Sequence, residues 1–198
     1  GIPGVGGFEL GQKFMDHAKG LGIRQVSEEV IEIKCRGDVK KVVTDKQEYE
    51  AKALIYAAGA GHKKLGAPGE EKFAGMGVSY CATCDGAFFR GKTVAVAGGG
   101  DVALEDALFL AKVCSKVYLI HRRDAFRGAK ALQKRVKENE NIELVMDTVI
   151  EEICGDSQVR EILVYHKKEE KTEKLAVDGV FIAVGIVPYT DLLQGQVK

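Results

Sequence analysis

Two cysteines separated by two residues, Cys81 and Cys84, are followed at once by the carboxylate of Asp85. A Cys-x-x-Cys pair can close into a small-ring disulfide, and its thiols become reactive when the pair lies at the start of a helix. A neighbouring carboxylate can carry the proton that dithiol chemistry requires. The segment therefore predicts a redox centre. Two alternatives stay open: a structural zinc site, which would need two further ligands at close spacing, and a pair of inert buried thiols.

A glycine-rich turn lies downstream, between a predicted strand and a predicted helix. The sequence Gly98-Gly-Gly-Asp-Val-Ala103 satisfies the dinucleotide-binding pattern Gly-x-Gly-x-x-Gly/Ala. In that pattern the first glycine permits a tight turn, the second lets a pyrophosphate approach the backbone, and the third small residue allows close packing of helix on strand. A helix beginning at Asp101 would direct its positive end at the phosphates. We therefore predict a nicotinamide dinucleotide site at this turn.

A basic segment follows the second strand of the same pattern. An NAD site would have an acidic residue there to hold the ribose hydroxyl, but this chain has His121-Arg122-Arg123, with Arg127 close behind. Guanidinium groups present planar donors that match a phosphate. The segment thus favours the 2′-phosphate of NADPH over NADH. The alternative is that the arginines only solvate a surface loop.

The elements expected to position these residues alternate between strand and helix. The predicted strands are 93–97, 117–120 and 142–146, and the predicted helices are 101–112 and 125–138. This βαβαβ order indicates an α/β fold with a Rossmann-like parallel sheet and right-handed crossovers. Residues 147–174 have the pattern of two or three charged antiparallel strands, and residues 180–184 that of a buried strand.

The N-terminal part is less regular. An amphipathic pattern predicts a helix over 8–19, and short apolar runs predict strands over 23–26, 29–35, 39–44 and 52–57. Residues 62–80 contain a proline, several glycines and no sustained period, which is typical of a crossing between domains.

Composition limits the possible partners and compartment. The chain has 198 residues with 29 basic and 29 acidic side chains, so no charge excess predicts binding to nucleic acid or to an anionic membrane surface. No apolar run approaches the roughly 20 residues of a membrane-spanning helix. Five cysteines without a signal peptide favour a reducing compartment, the cytoplasm by default. We interpret the three cysteines outside the pair as packing residues: Cys35, Cys114 and Cys154.

Several strings together resemble the low-molecular-weight thioredoxin reductases over essentially the whole chain. They are Leu65-Gly-Ala-Pro-Gly-Glu70, Gly77-Val-Ser-Tyr-Cys-Ala-Thr-Cys-Asp-Gly86, Gly98-Gly-Gly-Asp101, His121-Arg-Arg-Asp-Ala-Phe-Arg127 and Val180-Phe-Ile-Ala-Val-Gly-Ile-Val-Pro-Tyr-Thr190. The Cys-Ala-Thr-Cys-Asp-Gly string is the most specific of them. The resemblance implies a homodimeric flavoprotein that carries electrons from NADPH through FAD to its own disulfide and then to thioredoxin.

The resemblance also implies a role for individual residues. Cys84 would lie against the flavin, Cys81 would attack thioredoxin, and Asp85 would be the acid/base. The NADPH site would contain Gly98, Gly99, Gly100, Asp101, Val102 and Ala103 at the pyrophosphate, His121, Arg122, Arg123 and Arg127 at the 2′-phosphate end, and Gly185. The FAD site would include Ala58, Gly59 and Ala60.

In such a reductase the NADPH domain is inserted into the FAD domain. The implied division is 1–80 as a partial FAD-binding domain without its N-terminal dinucleotide finger, 81–180 as the NADPH-binding domain with the redox cysteines, and 181–198 as the return into the FAD domain. Gly1 is not a methionine and the C-terminus has no natural cap, so we expect a chain cut at both ends. Such a chain would bind FAD poorly and turn over little.

The chain departs from the usual family pattern at three positions. Val102 replaces a hydroxyl residue, Ala58 replaces a threonine, and Tyr189 replaces an asparagine. Three alternative functions stay open: the flavoprotein subunit of an alkyl hydroperoxide reductase, a reductase fed by ferredoxin or another reduced flavin, and an NADPH-binding fragment without turnover.

Overall fold

The computed structural model describes residues 2–193 and 195–197, and it divides into two compact units. The first unit comprises Gly1–Ala58 and Tyr189–Lys198, and the second comprises Gly59–Pro188. Gly1, Gln194 and Lys198, which belong to the predicted terminal domains, lie outside the described residues. The boundaries between these units differ from the predicted domain boundaries. The domain boundaries therefore stay a prediction. No helix among the described residues is long and apolar enough to cross a membrane.

The first unit contains one helix and a small antiparallel sheet. Helix α1 spans Gly7–Gly20, and strands β1 (Val30–Lys34), β2 (Lys40–Thr44) and β3 (Glu48–Ala51) pair in that order. None of the residues of α1 is buried. The strands predicted over 29–35 and 39–44 are confirmed within a residue or two.

Two of the strand predictions for this unit are wrong. Residues 23–26 and 52–57 form no strand, and the polar segment of β3 pairs with β2 instead. An apolar run becomes a strand only where a neighbour satisfies its backbone groups. Ile55, in the middle of the second run, is 92% exposed.

The second unit is built on a five-stranded parallel sheet. Its early elements are β4 (Ala60–His62), β5 (Val78–Ser79), α2 (Ala82–Asp85), a 3-10 turn over Gly86–Phe89, β6 (Thr93–Gly98), α3 (Asp101–Leu110), β7 (Lys116–Ile120), α4 (Lys130–Lys137) and β8 (Ile142–Val145). The strands β9 (Thr148–Gly155), β10 (Val159–His166), β11 (Lys171–Ala176), β12 (Gly179–Ala183) and β13 (Ile186–Pro188) follow. The parallel sheet has the order β5-β12-β6-β7-β8, and β9, β10 and β11 form a separate antiparallel sheet. The predicted α/β fold with its three-stranded addition is confirmed.

The parallel sheet is buried on both faces, which explains its continuous apolar strands. Along β6, Val94 and Val96 belong to the core cluster that contains the helix residues Leu104 and Leu108. The alternate residues Ala95 and Ala97 belong to a second cluster, with apolar residues of the antiparallel sheet such as Ile150, Ile153, Ile162 and Val164. The β6–α3 connection therefore begins at the carboxyl end of the central strand of the sheet, which is packed on both faces.

One helix of the second unit is shorter than predicted. The pattern over 125–138 forms a helix only from Lys130, and residues 121–129 form a loop. Within this loop the backbone N–H groups of Arg127 and Gly128 donate to the carbonyl oxygen of Gly99, at 2.8 and 3.2 Å. These bonds to a distant turn compete with the helical hydrogen bonds that the local pattern predicts.

Candidate functional site

The cysteine pair is a closed disulfide at the start of a short helix. Cys81 is the N-cap of α2, and its Sγ accepts the backbone N–H of Cys84 at 3.2 Å. The two sulfurs are bonded to one another, with Cys84 exposed and Cys81 partly buried. Within the described parts of the chain, no group of three or more His, Cys, Asp or Glu side chains is arranged to hold a metal ion. The local geometry thus supports dithiol chemistry.

Two of the three cysteines outside the pair, Cys114 and Cys154, lack the features of a reactive thiol. Cys114 is buried, and burial raises the pKa of its thiol to about 11. Burial also raises the pKa of Cys154, and the nearby carboxylates of Glu152 and Glu161 act in the same direction. A thiol with a raised pKa is protonated at neutral pH and is a poor nucleophile.

Ser79, which the sequence motifs did not single out, connects the disulfide segment to Asp85 through hydrogen bonds. Its Oγ donates to Oδ2 of Asp85 at 2.6 Å and accepts the backbone N–H of Cys81 at 3.1 Å. Ser79 ends β5 and is only 6% exposed. The one sequence signal was a hydroxyl residue within the motif, two positions before the first cysteine. The bond from Ser79 fixes the carboxylate beside the redox pair.

An open cavity of about 240 Å³ borders this carboxylate. Its walls include Ser79, Asp85, Phe88, Lys92 and Gln158. Because the cavity is open to solvent, protons can pass between Asp85 and bulk water without crossing the apolar core. Asp85 is therefore reachable by solvent from this side.

The glycine turn has the shape that a phosphate group needs. Gly98 has φ +156°, and a Cβ there would lie 2.4 Å from the carbonyl oxygen of Ala183 on the neighbouring strand. Gly100 is the N-cap of α3 and provides no side-chain cap, and a Cβ at this residue would meet no atom within 4 Å. Open space therefore lies in front of backbone N–H groups that a phosphate can use. Ala103 is fully buried, as close helix packing requires.

His121 lies against the turn and is 6% exposed. A Cβ on Gly99 would be 2.3 Å from two atoms of the His121 ring, so only glycine fits under the imidazole. Burial lowers the pKa of His121, and the charges of Arg123, Arg127 and Arg122 act in the same direction. Its Nε2 is buried and has no hydrogen-bond partner among the described residues. A neutral imidazole with an unused nitrogen therefore borders the site.

The three arginines are exposed, and within the described part of the chain none of them forms an ion pair. Their backbone is nevertheless fixed. The carbonyl of Arg122 accepts from Lys167 Nζ at 2.8 Å, and that of Arg123 accepts from the N–H of Asp147 at 3.1 Å. Arg127 is tied to Gly99, as described above. The fold therefore brings the predicted basic segment next to the glycine turn, with its guanidinium groups available.

The other predicted cofactor residues are less closely grouped. Gly185, with φ +125°, follows β12, whose residue Ala183 pairs with Gly98. Val102 is 62% exposed on the first turn of α3. Ala58 is the last residue of the first unit's N-terminal segment, and the second unit begins with Gly59 and Ala60. All three residues are exposed. Their assignment to FAD stays a prediction.

Comparison with known proteins gives consistent matches over nearly the whole chain. Residues 10–198 match the family described as Pyridine nucleotide-disulphide oxidoreductase. A thioredoxin reductase of Treponema pallidum is 42% identical over 194 residues, which cover 98% of this chain and 63% of that protein. A thioredoxin reductase of Mycolicibacterium smegmatis is 42% identical over 195 residues, with the same coverage.

A solved structure agrees with these sequence matches. The crystal structure of Lactococcus lactis thioredoxin reductase matches with a TM-score of 0.82 and 39% sequence identity, covering 97% of this chain and 65% of that one. The chain thus spans about 63% of the length of the relatives it matches in sequence. The resemblance that the sequence motifs predicted is confirmed.

Proposed function

The chain belongs to the pyridine nucleotide-disulphide oxidoreductase family, and on that premise we propose that it carries electrons from NADPH to thioredoxin. The route passes through FAD and the Cys81–Cys84 disulfide. The observation that carries the proposal is the presence, within one compact unit, of a closed Cys-x-x-Cys disulfide and a glycine turn bordered by arginines that form no ion pair with the described residues. FAD and NADPH are the cofactors used by the family and by thioredoxin reductases, in agreement with the sequence prediction.

The disulfide is the electron store of the proposed reaction. FAD, when bound, supplies the ring that relays an electron pair from NADPH to the disulfide. Two electrons and two protons convert the bonded sulfurs into the thiols of Cys81 and Cys84. The Cys81 thiolate then attacks the thioredoxin disulfide, and the Cys84 thiolate displaces reduced thioredoxin and closes the ring again. Asp85, held by Ser79, exchanges the protons with solvent.

The assignment of Cys81 as the attacking sulfur has local support. Its Sγ accepts the N–H of Cys84 at the start of α2, an arrangement that stabilises a thiolate. Cys84 is the more exposed of the two in the oxidised structure. The proposal therefore requires that Cys81 become accessible after reduction.

The nucleotide end of the route uses the features around the glycine turn. The uncapped N-terminus of α3 and the space in front of Gly100 fit a pyrophosphate, and the arginine segment fits a 2′-phosphate. Gly59, with φ +78° and no atom within 4 Å of a Cβ, fits a close approach of FAD to the backbone. We also propose, from the same family relationship, a homodimer in the cytoplasm and the domain division given by the sequence.

Thiol–disulfide exchange with thioredoxin tests the proposal without requiring flavin. The chain, reduced with dithiothreitol and desalted, is mixed with oxidised thioredoxin, and both proteins are alkylated and weighed by mass spectrometry. We expect thioredoxin to gain two alkylated thiols as the chain loses two. Cys35→Ser serves as the control and keeps full exchange. No exchange by the reduced wild-type chain would contradict thioredoxin as the substrate.

Single-cysteine variants assign the attacking sulfur. Cys84→Ser leaves the Cys81 thiol alone, so we expect it to form a stable mixed disulfide with thioredoxin. Cys81→Ser should form little of this adduct. The reverse pattern would transfer the attacking role to Cys84.

A further inference from the structure

The glycine turn and the arginine loop are held together by three consecutive backbone N–H groups. The carbonyl oxygen of Gly99 accepts from Arg127 and Gly128, and the side-chain Oδ1 of Asp101 accepts from Ala129 at 2.7 Å. The two segments are separated by 28 residues along the chain. The loop that carries Arg127 therefore has its position set by the turn, not by its sequence neighbours.

The fit between loop and turn is close. A Cβ on Gly128 would lie 2.5 Å from Cδ1 of Leu104 and 3.1 Å from the backbone nitrogen and Oδ1 of Asp101. On the other side, Nε2 of Gln133 donates to the carbonyl of Gly128 at 2.7 Å. Ala129 is the N-cap residue of α4 and has no side chain able to cap that helix. Asp101 is thus the side-chain link between the start of α3 and the start of α4.

We infer that Asp101 is a positioning residue that sets the preference for a 2′-phosphate by holding the Arg127 loop against the glycine turn. This inference rests on the proposed use of NADPH. A carboxylate repels a phosphate, so a direct role for Asp101 as a ligand of the pyrophosphate has no electrostatic support. Its hydrogen bond to Ala129 adds a third anchor to the two bonds that the Gly99 carbonyl accepts from Arg127 and Gly128, and so helps to hold Arg127 beside the turn.

The binding of two soluble nucleotides distinguishes this positioning role of Asp101 from the alternatives. Adenosine 2′,5′-bisphosphate carries the 2′-phosphate and 5′-AMP lacks it, and calorimetry measures the dissociation constant of each for the 198-residue chain. In Asp101→Ala we expect the preference for the 2′-phosphorylated nucleotide to fall about tenfold, the effect of one lost hydrogen bond to a charged group. Binding of 5′-AMP should change much less. Asp101→Asn keeps an oxygen acceptor and should keep most of the preference.

The matched control is Glu105→Ala, which removes an exposed carboxylate one turn further along the same helix. It should leave the preference unchanged. If Asp101→Ala and Asp101→Asn both bound the 2′-phosphorylated nucleotide more tightly, Asp101 would act only through its charge and the inference would be overturned. Equal weakening of both nucleotides in Asp101→Ala would make it a general ligand or a folding residue, which also overturns the inference.

Hydrogen exchange provides a second measurement that does not depend on affinity. The amide of Ala129 should be protected in the wild-type chain and in Asp101→Asn, and should lose protection in Asp101→Ala. Unchanged protection would contradict the positioning role. A wild-type chain without preference for the 2′-phosphorylated nucleotide would instead contradict the proposed use of NADPH, so the two failures are distinguishable.

Discussion

At the scale of single residues, a buried hydroxyl group holds the carboxylate that lies next to the disulfide. Ser79 donates to Asp85 and accepts from the backbone of Cys81, so it links the proposed acid/base residue to the disulfide. The side chain is buried, and among the described residues no other side chain forms a hydrogen bond with Asp85. Ser79 therefore restricts the positions available to the carboxylate next to the disulfide.

Removal of this hydroxyl should slow reduction of the disulfide. Ser79→Ala takes away a hydrogen bond to a charged group, so we expect about a tenfold lower rate of reduction by dithiothreitol, followed by quenched alkylation. Ser79→Thr keeps the hydroxyl and should recover most of the rate. Ser115→Ala, an exposed serine in the same unit, is the control and should react as the wild type does. Equal rates in Ser79→Ala and the wild type would mean that Ser79 serves the fold alone.

Local spacing was sufficient to find the reactive groups but not their partners. Cys81, Cys84 and Asp85 are adjacent in sequence, so their chemistry could be predicted directly. The bond between Ser79 and Asp85 spans six residues and exists because β5 and α2 fold back on one another. No periodicity in the sequence encodes such a contact.

At the scale of elements, the turn between β6 and α3 needs glycine at two neighbouring positions for two different reasons. Gly99 has no room for a Cβ because the His121 ring lies against it, and Gly100 has open space in front of it. The first demand comes from packing inside the protein. The second is what a ligand approaching the backbone would need.

Alanine at these neighbouring positions should therefore give opposite results. Gly99→Ala should destabilise the chain by about 1–3 kcal/mol, because the buried His121 ring has to move. Gly100→Ala should leave the unfolding temperature unchanged and weaken NADPH binding about tenfold or more, because the new methyl group stands where a phosphate hydrogen bond would form. Thermal unfolding and calorimetry measure the two effects. Loss of stability in Gly100→Ala with normal NADPH binding would contradict this assignment.

The central βαβαβ elements were predictable because their periodic patterns are reinforced by burial on both faces of the sheet. The prediction errors occur where contacts with residues distant in sequence determine the secondary structure. The helix predicted from residue 125 begins at Lys130, since the preceding backbone bonds to Gly99 instead. Conversely, the polar segment Glu48–Ala51 forms a strand because β2 satisfies its backbone, although no apolar pattern marks it.

At the scale of the whole molecule, the two units differ greatly in how much they bury. Among the described residues of the first unit, only Ile33 and Thr44 are buried, whereas Phe8, Phe14 and Ile55 are at least 66% exposed. The second unit contains both core clusters. Because burial of apolar surface is the main driving force of folding, stability should reside almost wholly in the second unit.

The fragment 59–188 should therefore fold without the rest of the chain. We expect it to unfold cooperatively, at a temperature within a few degrees of that of the 198-residue chain, and to bind NADPH with similar affinity. The fragment 1–58 should show no cooperative transition by circular dichroism. An unfolded 59–188 fragment would mean that the first unit contributes a necessary part of the core.

The sequence predicted the nucleotide and disulfide sites from residue types and spacing, but the FAD assignment came from resemblance alone. Ala58, Gly59 and Ala60 have no chemically distinctive side chains, so nothing in their pattern identifies a flavin. The three arginines, in contrast, make a specific chemical prediction. Their guanidinium groups are exposed and without an ion pair in the part of the chain that the structure describes.

The most direct measurement of the central claim is the relative affinity of the chain for NADPH and NADH. We predict tighter binding of NADPH by calorimetry, and we predict that Arg122→Ala combined with Arg127→Ala removes most of this preference while NADH affinity changes little. Lys112→Ala, an exposed cation beyond the end of α3, is the control for general charge. Equal affinity of the wild-type chain for the two nucleotides, or no binding of either, would contradict the account.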